Sequence, residues 1–136
     1  MKKYNIAVIA GDGIGPEVVN EGIKVLKKVS ELDGGLGFEF AHFPWGCEYY
    51  LETSKMMPDN GIEILSDFDA IYLGAVGTPG VPDHISLWDL LLKIRHSYDE
   101  YVNIRPVKLL RVPLCKSFQL FQGAVHLVER PRKILG

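Results

Sequence analysis

The stretch Ile9–Leu26, "IAGDGIGPEVVNEGIKVL", limits the possible folds more than any other part of the chain. Before it lies "YNIAVIA" (Tyr4–Ala10), short, apolar and rich in Ile and Val, the pattern of a buried strand. After it, Val18, Val19, Gly22, Ile23, Val25, Leu26 and Val29 recur at helical spacing. Pro16 suits the first turn of that helix, where its missing N–H would have had no partner. A strand, a glycine turn and a helix in this order open an α/β unit. The dinucleotide fingerprint G-x-G-x-x-G does not fit, because the glycines fall at 11, 13 and 15 and position 16 is proline. This spacing argues against a standard Rossmann pyrophosphate site.

The rest of the chain continues the alternation. "DGGLG" (Asp33–Gly37) reads as a turn, and "FEFAHFPWG" (Phe38–Gly46) as a half-buried strand ending at Pro44. "CEYYLETSK" and "MMPDNGIEILSDF" each hold a short helix. "DAIYLGAVG" (Asp69–Gly77) is a second buried strand running into glycine, flanked by Asp67 and Asp69 as turn residues. A loop with two prolines leads to a strong helix, "SLWDLLLKIRHSYDE" (Ser86–Glu100), with Ser86 and Asp89 at capping-box spacing. "YVNIRPVKL" (Tyr101–Leu109) reads as a strand or extended segment.

At 136 residues the chain is about one domain long, and 47% hydrophobic residues give it material for a core. The net charge of −2 offers no electrostatic case for nucleic acid or an anionic membrane. No apolar run approaches a membrane span, and "MKKYNIAVIAG" is too short in its apolar part for a signal peptide. Cys47 and Cys115 lack metal or redox spacing and read as small buried hydrophobes. These features point to a cytoplasmic enzyme or binding domain.

Conventional catalytic motifs are missing, including the phosphate-binding G-x-x-x-x-G-K-[ST], H-E-x-x-H and G-x-S-x-G. His42, His84, His96 and His126 are too scattered to form a metal site. The informative pair is Arg95, late in the long helix, and Arg105, held extended by Pro106. Two arginines on a helix and a returning strand can converge on one anion, and arginine holds a carboxylate in a bidentate fork. Spacing alone favours the plainer reading of two surface ion pairs, such as Arg95 with Asp99.

Several motifs occur together and in order: "GDGIGPEV", "AIYLGAVGTP" and "LLLKIRHSYDEYVNIRPVK". From about Asn5 to Leu110 they resemble the β-decarboxylating dehydrogenases, the isopropylmalate, isocitrate, tartrate and D-malate enzymes. "FPWGCEYYLETSKMMPDNGI" and "VPDHISLW" look most like the tartrate/D-malate branch. The resemblance implies an α/β fold, the N-terminal part of the isopropylmalate dehydrogenase-like doubly wound fold rather than a classical Rossmann fold. It implies oxidation of a small 2-hydroxy dicarboxylic acid with NAD, using Mn2+ or Mg2+, in a cytoplasmic homodimer. By the same resemblance Arg95 and Arg105 bind substrate carboxylates, while Ile14 in the opening loop and Thr78 border the cofactor. The metal would polarise the C2 oxygen and, where decarboxylation follows, stabilise the enolate.

The chain also departs from the family pattern. The segment V-R-E-N-x-E-G expected after the "LRP" strand has no match in "RVPLCKSFQLFQGAVHLVERPRKILG". From Arg111 onward five Lys/Arg face one Glu, whereas the first 110 residues hold ten Lys/Arg and sixteen Asp/Glu. Residues 1–110 are therefore read as the family-like part, and 111–136 as a divergent tail, frameshifted or truncated, that packs poorly. The family's catalytic lysine and metal aspartates belong to its second half, so the chain alone is expected to be inactive, with no catalytic or metal residue of its own. Asp89 stands where relatives carry glycine or serine, either repelling a dicarboxylate or capping the helix with Ser86. Two other readings remain: a non-catalytic binding or interaction module, and a fragment of an isopropylmalate or isocitrate dehydrogenase.

Overall fold

A computed structural model describes residues 2–105. The chain divides into two compact units, the first ending at Ser97 and the second starting at Tyr98. The described part of the second unit, residues 98–105, holds no helix or strand. The remainder of the "YVNIRPVKL" segment, Cys115 and the tail 111–136 lie outside the described residues.

The first unit is built on three parallel strands. β1 (Lys2–Gly11) lies between β2 (Leu36–Phe43) and β3 (Ala70–Ala75). Register places Ile6 opposite Phe40 on one side and Ala70 on the other. A parallel sheet has to be covered on both faces, so its central strand reads as an unbroken apolar run. β1 meets that demand: Ile6, Ala7, Val8 and Ile9 are all buried.

On one face, Ile6 and Val8 pack with Val19 and Ile23 of α1 (Gly15–Asp33), and Tyr4, Phe38, Phe40 and Tyr72 close the cluster. The helix ends at Gly34, whose left-handed φ of 68° lets its N–H reach the Ser30 carbonyl. The alternate residues Ala7 and Ile9 point to the opposite face. The other buried apolar side chains come from the later part of the unit: Trp45, Cys47, Met56, Met57, Leu65, Val81, Leu90 and Ile94. They belong to α2 (Cys47–Thr53), α3 (Gly61–Leu65), the loops between, and one interrupted helix.

That helix runs as α4 (Asp83–Ser86), a π-helical segment (Leu87–Leu92) and α5 (Lys93–Ser97). The expected start at Ser86 with a capping box is therefore corrected. Pro82, at φ −59° and ψ 139°, hands the chain into the helix one turn earlier. Ser86 lies inside it, buried, and its hydroxyl donates to the Asp83 carbonyl at 3.2 Å. Asp89 consequently caps nothing and is exposed on the π-helical segment.

Candidate functional site

The chain leaves β1 through α1 to reach β2 on one side, then returns as β3 on the other side. Strand order reverses between β1 and β3. In open α/β sheets ligands bind outside the carboxyl ends of the strands at such a switch point. Here those ends carry the Gly11–Gly15 turn and the Gly77–Thr78 loop.

The turn is shaped by close approach as well as by backbone freedom. Gly11 has φ 74°, and a Cβ there would sit 2.0 Å from the Ala75 oxygen. Gly15 does the work of the third fingerprint glycine, one position early: a Cβ would lie 2.2 Å from the Ala10 oxygen, so the helix starts tight against the strand. Gly13 also has positive φ, yet nothing lies within 4 Å of its Cβ position. The outer side of the turn is open.

Asp12 is the residue that sequence reading missed. It is only 5% exposed, and its carboxylate gathers backbone N–H groups from two distant segments. Cys47 donates to Oδ1 at 2.9 Å and to Oδ2 at 3.1 Å, Glu48 to Oδ1 at 3.4 Å, and Gly77 to Oδ2 at 3.0 Å. Burial pushes this carboxyl up, but bonds from the Cys47 thiol and these N–H groups outweigh it and hold it below the usual value. The reciprocal effect falls on Cys47: burial first, then the neighbouring carboxylate, raise its thiol to about 11. The backbone groups of Thr78 and Gly77 act the other way and lower it, by less. A polar residue between two glycines directly after a buried strand was the available signal.

Beside Asp12 opens a cleft of about 200 Å3, walled by Pro16, Phe43, Pro44, Trp45 and Tyr49. The Phe43 and Trp45 rings lie 4.6 Å apart, and Phe68 meets Phe43 edge-on at 5.6 Å.

The family model for isocitrate/isopropylmalate dehydrogenase matches residues 5–126. The chain belongs to the isocitrate/isopropylmalate dehydrogenase family. Among its relatives, a probable tartrate dehydrogenase/decarboxylase of Bacillus subtilis is 57% identical over 109 residues, covering 79% of this chain and 31% of that protein. The D-malate dehydrogenase (decarboxylating) of Escherichia coli is 57% identical over 111 residues, 80% of this chain and 30% of that one. A solved β-decarboxylating dehydrogenase from Thermococcus kodakarensis matches with TM-score 0.54 and 33% identity, over 72% of this chain and 27% of that chain. The chain spans about three-tenths of the length of these curated relatives. Its fold is α/β, the N-terminal part of the isopropylmalate dehydrogenase-like doubly wound architecture.

Within this family member, the sequence-derived site residues fall in different places. Ile14 caps α1 beside the open turn and is 63% exposed. Thr78 is half-buried on the β3 loop, with its carbonyl accepting the Val81 N–H at 3.2 Å. Asp12 therefore connects the turn that carries Ile14 to the loop that carries Thr78. Arg95 is half-buried in α5, and Arg105 is exposed in the second unit. Among the described residues, no three His, Cys, Asp or Glu side chains are grouped to hold a metal. No helix there is long and apolar enough to cross a membrane.

Proposed function

We propose that this chain supplies the cofactor-turn and substrate-arginine portion of an NAD- and divalent-metal-dependent dehydrogenase acting on a 2-hydroxy dicarboxylic acid such as tartrate or D-malate. The carrying observation is the switch point itself: the Gly11–Gly15 turn and the Gly77–Thr78 loop stand together at the carboxyl ends of adjacent parallel strands. The names of the 57%-identical relatives supply the substrate class.

The residues present fit a nicotinamide nucleotide. The outer side of the turn at Gly13 is open, and Ile14 and Thr78 present an apolar and a hydroxyl-bearing side chain on the two loops. When bound, the nicotinamide would accept the hydride released from C2 of the hydroxy acid. Arg95 and Arg105 hold the substrate carboxylates in this reading, since a guanidinium fork fixes both the charge and the plane of its partner. Fixing those groups turns C2 toward the cofactor and removes the orientational cost from the barrier. The described residues do not fit the Mn2+ or Mg2+ of the family, so no step here is routed through a metal. The whole enzyme is proposed to work in the cytoplasm as a homodimer on small acids, with neither nucleic acid nor membrane as partner.

A chimera tests this. Residues 1–110 of this chain replace the matching segment of the Pseudomonas putida tartrate dehydrogenase/decarboxylase, which is 57% identical over 108 residues. The chimera should oxidise tartrate or D-malate with NAD and Mn2+. Arg95→Ala and Arg105→Ala should each lower kcat/KM roughly ten- to a hundredfold, the loss of a charge-assisted hydrogen bond. Arg105→Lys should restore little, because a point charge lacks the planar fork. A folded chimera without turnover, or alanine variants at full kcat/KM, would overturn the reading.

A further inference from the structure

We propose that Asp12 is a positioning residue that locks the Gly77–Thr78 loop to the Gly11–Pro16 turn, making the two sides of the switch-point crevice one rigid unit. Three segments distant in sequence meet on one side chain: the end of β1, the start of α2 and the end of β3. The carboxylate is itself well anchored. The Asp12 N–H donates to the Ala75 carbonyl at 2.7 Å, and its own carbonyl accepts the Gly15 N–H at 2.8 Å. Backbone on both sides of the side chain is therefore pinned, to β3 through one bond and to the first turn of α1 through the other.

The chemistry requires a carboxylate. Its two oxygens accept from N–H groups belonging to different elements, Oδ1 from Cys47 and Glu48, Oδ2 from Gly77 and Cys47. An amide offers one oxygen and would turn its NH2 toward one of these donors. Among the described residues the titratable group beside the carboxylate is the Cys47 thiol; Glu48 meets it through its backbone N–H, with its side chain exposed at the start of α2. The carboxylate oxygens take the backbone N–H groups of Cys47, Glu48 and Gly77, and these dipoles offset the buried charge. The side chain thus extends the β1–β3 pairing into the two loops that border the crevice, which matters because a misplaced cofactor costs catalysis far more than it costs stability. The positioning role rests on the reading that Ile14 and Thr78 border a nicotinamide nucleotide; the lock itself does not.

The test uses the full 136-residue chain labelled with nitrogen-15. As pH falls, the Cys47, Glu48 and Gly77 amide resonances should move together with one shared midpoint, lying below the ordinary aspartate value. In Asp12→Asn at neutral pH, amides of residues 77–81 should exchange on the order of tenfold faster, with Ile6–Ile9 unchanged. Separate midpoints, a still Gly77 resonance, or exchange that rises evenly across the unit would overturn the lock. If the asparagine variant fails to fold, the wild-type titration decides alone. NAD is then added to the wild type and to Asp12→Asn. Shifts at Ile14 and Thr78 that saturate together, at a concentration about tenfold higher in the variant, support positioning. Equal affinity in both proteins overturns it. A wild type that titrates as expected but gives no NAD shift upholds the lock and overturns the cofactor reading.

Discussion

Cys47 and Asp12 form a pair in which each group sets the state of the other. The thiol is fully buried beside a carboxylate, and burial together with that charge raises it to about 11. At pH 8 its thiolate fraction is then about a hundredfold smaller than that of an ordinary cysteine, and thiolate is the reactive form. Alkylation with iodoacetamide, read by mass spectrometry of the Cys47 peptide, should therefore run at least about a hundredfold slower in the folded chain than in urea. Equal rates would show that the thiol is neither buried nor paired. Sequence reading assigned Cys47 correctly as a buried small residue, yet gave Asp12 no role. Its place between two glycines after a buried strand marks it, but the direction it faces is not legible, because the donors lie 35 and 65 residues away in sequence.

At the scale of elements, periodicity carried most of the information. β1, α1, β2 and β3 lie within a few residues of where apolar runs and helical spacing placed them. α1 shows why: its inner face is cut sharply from its outer one. Ile23 is 7% exposed and packs on β1, while Val25 two positions later is 62% exposed. Ile23→Ala should destabilise the chain by about 2–5 kcal/mol, removing buried methyl groups and leaving a cavity. Val25→Ala should change stability by less than about 0.5 kcal/mol. Urea midpoints at matched m-values measure both, and similar losses at the two positions would place α1 in the wrong rotation about its axis. The interrupted helix was harder to read. Ser86 and Asp89 have the spacing of a capping box, but Pro82 had already started the helix, and the π-helical segment shifts every later residue relative to an ideal helix. Local spacing cannot register such a shift. For the same reason the sequence identifies Arg95 and Arg105 as a pair by type, without fixing where either guanidinium points.

Over the whole molecule, charge and the Asp12 site respond to acid in opposite directions. The first 110 residues carry an excess of six acidic charges, so mild acid relieves self-repulsion there. Asp12 works against that trend. Its carboxyl lies lower when folded than when unfolded, so the unfolded chain binds the proton more readily. The stability it contributes is complete above the unfolded value of about 3.9 and is lost as pH falls through the lower folded value. Urea unfolding of wild type and Asp12→Asn at a series of pH values isolates this contribution, since all other carboxylates cancel in the difference. The gap should be widest above about pH 5, on the order of 1.5–3 kcal/mol for bonds to a charged acceptor, and should narrow steadily below about pH 4. A gap that stays constant down to pH 3 would mean that the charge on Asp12 does not stabilise the fold, and that its shape alone joins the three segments.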